Sequence, residues 1–508
     1  MTILEKVKKN AIKYPDRIAV VEQLDEKENR LTWRELDVYS DYLASYFCET
    51  LKTRTPIVVY GHKNPYMVVC FLACVKSGRA YCPVDVNVPL QRVKDIIAEV
   101  NPEIILSTEA LDIDDKRLYS FQKISTISRE FDCKNVILNY VQSDEVFYII
   151  FTSGSTGVPK GVQITRDCLD NFINWAVTLG NGCCEDKHYV FINQAPFSFD
   201  LSVMDLYLCL YTGGTLWCLN KNIQSNSKRL YESLQKSKGN VWVSTPSFAD
   251  VCLTDPLFCQ NLMPYLTDFL FCGEVLTNRT VSRLMERFPN AKIVNTYGPT
   301  ESTCAITSVV ITEEMNANKS PLPVGIPKKG TWVEIIDENG KCVEEGEHGE
   351  IVIVGDSVSI GYRNNVERNK KCFGVTKINN QSYRYYKTGD EGYMINGMLH
   401  YCGRIDLQIK LHGYRIELED IESNLLKIDG IIQAVVVPKY RDGKVSSLVA
   451  GVVSSDAVFD ESEEGKRIKE KLKENIPEYM IPKKIKFLST IPRTNNGKID
   501  RKTIGGLL

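Results

Sequence analysis

Four short segments hold residue types and spacings that could do chemistry. The first is Thr152-Ser153-Gly154-Ser155-Thr156-Gly157-Val158-Pro159-Lys160-Gly161. Its glycines leave backbone N–H groups open to phosphate oxygens, and its hydroxyls add donors. No Gly-Lys-Ser/Thr closes it as in a P-loop, and a flexible polar turn has the same composition. The second, Asn295-Thr296-Tyr297-Gly298-Pro299-Thr300-Glu301, offers a flat Tyr297 ring to a purine and Asn295 and Thr296 to base edges. Its Glu301 is a hard-oxygen ligand suited to Mg2+; a Gly-Pro turn with an exposed glutamate is the plainer alternative. In the third, Tyr386-Lys387-Thr388-Gly389-Asp390, Asp390 at the end of a segment could accept both ribose hydroxyls, and the following Gly403-Arg404 supplies a guanidinium for phosphate. Ordinary turns also contain Thr-Gly-Asp. The fourth runs from Pro492 to Lys502, where Asn496-Gly497 is a tight-turn sequence that could aim Lys498 outward. An ammonium there suits negative charge developing at phosphorus, although a basic tail reads the same way.

These segments need rigid elements behind them. Residues 146–151 form a buried-strand pattern ending at the Ser/Gly/Thr turn, and residues 292–294 and 351–354 read likewise. Apolar strand runs alternate with helical patterns through most of the chain, which predicts an α/β fold with helix-covered sheets. Near residue 402 the texture changes. A helix over 417–427 places Leu418, Ile421 and Leu425 on one face, followed by β-rich runs at 434–437 and 448–453 and a Lys/Glu helix over 464–475. The expected organisation is therefore a large N-terminal domain, residues 1–402, with several β-sheets and packed helices, and a small mobile α+β C-terminal domain, residues 403–508. The acidic run 460–464 reads as a solvated loop.

Composition excludes several classes. With 508 residues, 43% hydrophobic and 25% charged, the chain can bury a sizeable core. A formal net charge of −2 with no basic block argues against a nucleic-acid partner. The longest apolar run, 67–75, is too short to span a membrane, and the first residues show no secretory signal, so a cytoplasmic protein is expected. Seventeen scattered cysteines and five dispersed histidines fit neither a disulfide framework nor a zinc site; they read as reduced core residues.

Taken in this order and spacing, the four segments resemble the adenylate-forming superfamily, which includes acyl-CoA synthetases, luciferases and peptide-synthetase adenylation domains. Leu31-Thr32-Trp33-Arg34-Glu35-Leu36, Ala80-Tyr81-Cys82-Pro83-Val84-Asp85 and Pro477-Glu478-Tyr479-Met480-Ile481-Pro482 add to the match. Phe199-Asp200-Leu201-Ser202 is similar to the segment whose aspartate pairs with an amino acid's ammonium, although Asp200 could also be a helix N-cap. The stretches 193–205, 244–249, 269–276 and Lys410-Leu411-His412-Gly413-Tyr414-Arg415 most resemble the D-alanine–D-alanyl carrier protein ligases. In that family the residue matching Cys272 narrows the pocket around the alanine methyl. Cys304 stands where a valine is expected, and the two are of similar size.

The resemblance implies two half-reactions: D-alanine and Mg·ATP give D-alanyl-AMP, and a phosphopantetheinylated carrier protein then takes the acyl group. It assigns Lys498 to the reacting oxygens and Asp200 to the ammonium. Asn295, Thr296, Tyr297, Gly298, Pro299 and Thr300 would meet the nucleotide, with Asp390 on the ribose and Arg404 nearby. Glu301 would hold Mg2+, and Thr152, Ser153, Gly154, Ser155 and Thr156 the departing phosphates. Cys272 and Cys304 would line the side-chain pocket. No carrier sequence follows Lys498 within these residues, so the acceptor is expected in trans, in a role supplying teichoic acid D-alanylation. Within the same superfamily, the alternative is a freestanding peptide-synthetase-type adenylation enzyme for another small amino acid.

Overall fold

Two early helices begin at threonines followed three residues later by glutamate. Thr2 opens Ile3–Lys13 and Thr32 opens Trp33–Thr50, each as a capping box. The Thr32 N–H donates to Glu35 Oε2 at 2.8 Å while Thr32 Oγ1 accepts from the Glu35 N–H at 3.2 Å. The segment that carries the resemblance at Leu31–Leu36 is thus a helix start. The apolar run at 67–75 becomes the helix Tyr66–Lys76, buried at every position.

The computed structural model describes residues 1–507 apart from 25–26, 132–135, 137, 154–158, 185–186, 319, 412, 442–443, 456–459 and 493–498. The chain divides into two units. The first comprises Met1–Val86, Val100–Ile150 and Gly161–Gly403, and the second Asn87–Glu99, Phe151–Lys160 and Arg404–Leu508.

In the first unit a nine-stranded sheet runs in the order Ile326–Pro327, Thr307–Val310, Lys292–Tyr297, Asp268–Phe271, Val241–Ser244, Val190–Asn193, Thr215–Cys218, Ile18–Gln23, Glu28–Thr32. Its six strands from Lys292–Tyr297 to Ile18–Gln23 are parallel. A second sheet carries the parallel strands Ile105–Ser107, Ile57–Tyr60, Tyr81–Val84 and Val146–Thr152. A mainly antiparallel sheet is built from Thr331–Ile336, Gly349–Gly355, Phe373–Ile378, Gln381–Ile395 and Met398–Arg404. Continuous Val/Ile/Phe runs are what strands covered on both faces require.

The largest core joins both parallel sheets to the helix Leu201–Thr212, of which only Tyr211 is not buried. That helix stops at Gly213, whose φ of 73° is left-handed. Glycine takes this conformation without the Cβ penalty that ends helices less cheaply elsewhere.

The second unit pairs Ile431–Arg441 with Lys444–Ser454 antiparallel, and Lys484–Phe487 parallel to the latter. The hairpin Gln408–Leu411/Tyr414–Glu417 leads into the helix Leu418–Leu425, whose Leu418, Ile421 and Leu425 are buried together with Ile468 and Leu472. The acidic run at 460–464 is not a loop. Asp460 caps the helix Glu461–Lys473, accepting from the Ser462 and Glu463 N–H groups, and the glutamates fill its first turn. Negative charge at a helix N-terminus is favoured by the exposed N–H groups and the macrodipole, which the solvated-loop reading overlooked. Tyr479, in the Pro477–Pro482 segment, stacks on Tyr414 at 3.7 Å.

A buried ion cluster ties the first helices together. Lys76, 1% exposed, donates to Asp37 Oδ1 at 2.9 Å, Asp41 Oδ1 at 2.5 Å and Ser40 Oγ at 2.9 Å. Lys8 reaches the other oxygens of both aspartates from a half-exposed position. Lys76→Ala leaves two buried carboxylates short of a cation and should cost about 3–5 kcal/mol. Lys8→Ala should cost roughly 0–1 kcal/mol and become negligible in high salt. Urea unfolding of both variants at low and high salt checks the contrast; equal losses would contradict it.

Candidate functional site

Asp200 occupies the N-cap position of the helix Leu201–Thr212, but its side chain makes no capping bond. The carboxylate Oδ2 instead accepts from Thr300 Oγ1 at 2.6 Å. The helix start is satisfied by tight backbone turns, with Phe199 N–H donating to Pro196 O, Ser202 N–H to Phe199 O and Val203 N–H to Asp200 O. Thr300 was expected with the nucleotide; the fold sets it on the acid expected to hold the ammonium.

Tyr297 and Asp390 form a second pair. Tyr297 Oη donates to Asp390 Oδ2 at 2.6 Å, and both residues are buried. Burial, then the adjacent Asp390 charge, holds the Tyr297 phenol well above its ordinary value. Asp390 is not at the end of a segment: it lies within the 15-residue strand Gln381–Ile395. Thr388 and Gly389 bend the strand there. Gly389 has a φ of 69°, the register against Gly349–Gly355 shifts, and Thr388 Oγ1 accepts from the Asp390 N–H at 2.9 Å. Asn295 Nδ2 donates to Pro323 O at 2.8 Å and Thr296 Oγ1 to Phe271 O at 2.8 Å. These two side chains thus hold neighbouring backbone, and the Tyr297 ring leans at 36° on Tyr401. Gly298 is pressed so close to the chain at 304–306 that a Cβ would fall 2.6 Å from Ala305 Cα.

Glu301 is fully buried and not the exposed turn residue of the plainer alternative. Tyr362 Oη donates to its Oε1 at 2.5 Å, and Tyr386 Oη lies 3.2 Å from Tyr362 Oη. Among the described residues no group of three or more His, Cys, Asp or Glu side chains is placed to hold a metal. A single buried carboxylate still fits Mg2+, which usually keeps waters and takes phosphate oxygens alongside one or two protein acids.

Cys272 and Cys304 come together: Cys272 Sγ lies 3.6 Å from Cys304 O, and both are buried. Cys304 and the preceding Thr303 have φ values of 67° and 63°. Two consecutive non-glycine residues in the left-handed region are uncommon and mark a segment that its surroundings hold in place. Burial first, then nearby Cys272 and Asp200, pushes the Cys304 thiol well above its ordinary value.

Within the second unit, Thr152 Oγ1 is buried with no hydrogen-bond partner among the described residues, as a donor meant for a ligand oxygen would be. Ser153 Oγ donates to Arg415 O at 2.8 Å. Arg404 makes bonds of 2.9 and 2.6 Å to Asp406, so here the guanidinium meets a carboxylate. Gly154, Ser155, Thr156 and Lys498 lie outside the described residues. Asp500 N–H donates to Pro492 O at 3.0 Å. Arg501 beside it pairs in bidentate fashion with Glu422 at 2.5 and 3.0 Å.

Sequence reasoning missed Tyr362 and the brace Tyr386 gives it. Neither pairing has a local signal, because the partners lie 61 residues from Glu301 and 24 from each other.

The sequence profile of AMP-binding enzymes matches residues 7–363, and that of the AMP-binding enzyme C-terminal domain matches residues 420–498. The chain is 46% identical over 509 residues to the D-alanine–D-alanyl carrier protein ligase of Bacillus cytotoxicus, covering 99% of each protein. It is 44% identical over 507 residues to that of Bacillus licheniformis, again covering 99% of each. An amide bond synthetase from Marinactinospora thermotolerans shares the fold, with a TM-score of 0.85 at 19% identity over all of both chains.

Thiol reactivity checks the packing of Cys272 and Cys304. Thiolates react, and burial suppresses both ionisation and access. Brief alkylation of the native protein should label the exposed Cys184, Cys342 and Cys402 and leave Cys272 and Cys304 unmodified until denaturant is added. Peptide mass spectrometry reads the sites; early labelling of Cys304 would contradict its burial.

Proposed function

Because the chain belongs to the AMP-binding enzyme family, we propose that it is an ATP-dependent ligase that activates D-alanine as D-alanyl-AMP. It then transfers the acyl group to the phosphopantetheine thiol of a separate carrier protein, in the cytoplasm, supplying D-alanine for teichoic acids. The full-length similarity to D-alanine–D-alanyl carrier protein ligases supports this reading. The observation that carries it at the site is Asp200, an acid set at a helix start yet turned away from capping towards Thr300. A carboxylate in that position serves a substrate ammonium and has no use for a fatty or aryl acid. Cys272, whose counterpart in that family narrows the pocket around the alanine methyl, packs against Cys304.

In the first step a D-alanine carboxylate oxygen attacks the α-phosphorus of ATP, and the bond to the pyrophosphate oxygen breaks. Asp200 holds the ammonium and fixes the angle of attack. Asp390, steadied by Tyr297, accepts the ribose hydroxyls. Thr152 and its neighbours through Thr156 donate to the departing phosphates. Glu301, positioned by Tyr362, is the acid that would hold Mg2+, which when bound neutralises phosphate charge. Lys498 places its ammonium on charge that develops in the transition state. Positioning and charge neutralisation account for most of the acceleration in such displacements. In the second step the thiol sulfur attacks the acyl carbon, and AMP leaves with the bonding pair.

Amino-acid-dependent pyrophosphate exchange with D-alanine, L-alanine, glycine and D-serine tests the reading. D-alanine should give the highest kcat/KM, and a larger value for another amino acid would overturn it in favour of a different small-amino-acid adenylating enzyme. Cys272→Ala should narrow the D-alanine preference by about 1–3 kcal/mol of discrimination, the scale of one or two heavy atoms in a tight pocket. Lys498→Ala should abolish exchange while ATP still binds. Exchange retained to within about tenfold, ~1.4 kcal/mol, would remove Lys498 from the chemistry.

A further inference from the structure

A lysine is buried completely behind the loop that delivers Asp200. Lys63 follows the strand Ile57–Tyr60 and is 0% exposed. Its approach depends on Gly61, where a Cβ would fall 2.0 Å from Thr108 Oγ1. Lys63 Nζ donates to Asn193 Oδ1 and to Ala195 O, and stands 4.7 Å from the centre of the Phe197 ring. The Asn193 amide nitrogen donates at 2.9 Å to Oδ1 of Asp205 and, at 3.5 Å, to Ala195 O. Asn193 and Asp205 are themselves fully buried.

These contacts fall on both sides of one functional segment. Asn193 ends the strand Val190–Asn193, residues 194–199 form the loop, Asp200 starts the helix, and Asp205 lies one and a half turns along it. We propose that Lys63, Asn193 and Asp205 form a buried clamp that positions the loop 194–200, and that Lys63 is thereby a positioning residue for the amino-acid ammonium site. The inference deepens the reading of Asp200 as the ammonium partner and rests on it.

The physical case is the cost of the arrangement. An ammonium taken out of water loses several kcal/mol of hydration, and an apolar side chain of similar length would fill the same space. Burial lowers the Lys63 pKa and pushes the Asp205 carboxyl up to about 8, so each group resists its charged form. The lysine returns hydrogen bonds to a buried amide oxygen and to a main-chain carbonyl whose other donor, Asn193 Nδ2, stands at 3.5 Å. Both acceptors belong to the substrate loop and its root. Among the described residues Asp205 Oδ2 has no hydrogen-bond partner, and its charge is favoured first by Lys63 and the amide of Asn193, then by the main-chain N–H groups at 205–206.

The test is the split between two KM values in pyrophosphate exchange. Lys63→Met should raise KM for D-alanine by at least about tenfold and leave KM for ATP within about twofold. Asn193→Ala, which cuts both links with a smaller change in charge, should give the same split and serves where Lys63→Met does not fold. A purely structural role lowers the active fraction, so kcat falls and both KM values stay put; that result overturns the clamp. The KM split is read with whichever amino acid the wild type exchanges best. A wild-type preference for another amino acid therefore overturns the D-alanine reading while the clamp is still judged by its own split. No amino-acid-dependent exchange by the wild type overturns both.

Discussion

The start of the helix Leu201–Thr212 is the constraint on which the site depends. A helix packed on almost every face must satisfy its first N–H groups locally, because water does not reach them. An aspartate at the N-cap usually performs that task with its own carboxylate. Here successive tight turns through Pro196, Phe199 and Asp200 satisfy the backbone, and the carboxylate turns to Thr300. The loop sequence Ala195-Pro196-Phe197-Ser198-Phe199 is what makes the backbone solution available, since Pro196 sets one turn and the two phenylalanines bury against the core and its edge.

A common device recurs around this helix. Asp200 accepts from Thr300, Asp390 from Tyr297 and Glu301 from Tyr362, each at 2.5–2.6 Å. A hydroxyl satisfies one lone pair of a buried acid and fixes its orientation without bringing a positive charge beside it. Charge-assisted bonds of this kind are short and strong. An arginine in the same position would hold the acid equally still but would cancel its negative field. The three hydroxyls come from the short segment 297–300 and from Tyr362, and the acids they orient sit at a helix start, within a strand and in the turn beside Thr300 itself.

That turn is itself held under strain. Gly298 admits the chain at 304–306 where no side chain would fit, and Thr303 and Cys304 take left-handed conformations that glycine or asparagine would adopt more cheaply. Strain of order 1–3 kcal/mol per residue persists only where packing on all sides overrides it. Thr303 Oγ1 donates to Ser357 O at 2.7 Å and Cys304 O faces Cys272 Sγ, which is the packing that does so here. The result is a segment at 303–304 whose backbone is fixed from both sides.

The sequence by itself determined the classes of element and the chemical parts list. Capping threonines, continuous apolar strands and the periodic face of Leu418, Ile421 and Leu425 are local signals, legible because helix ends and buried faces obey rules of short range. The motif residues at 152–156, 295–301, 386–390 and 492–502 are likewise contiguous, so their types and order point to nucleotide and carboxylate chemistry before any fold is known. Tertiary structure alone decided the pairings. That Thr300 belongs with Asp200, 100 residues away, follows from parallel strands bringing distant loops to one side of a sheet, and that Tyr297 meets Asp390, 93 away, from the packing of that sheet against the antiparallel one. Tyr362 and Lys63 carry no local signature at all: a buried tyrosine reads as core and a lone lysine as surface. Their roles arise only where the fold removes water and leaves a carboxylate or a carbonyl waiting for a donor.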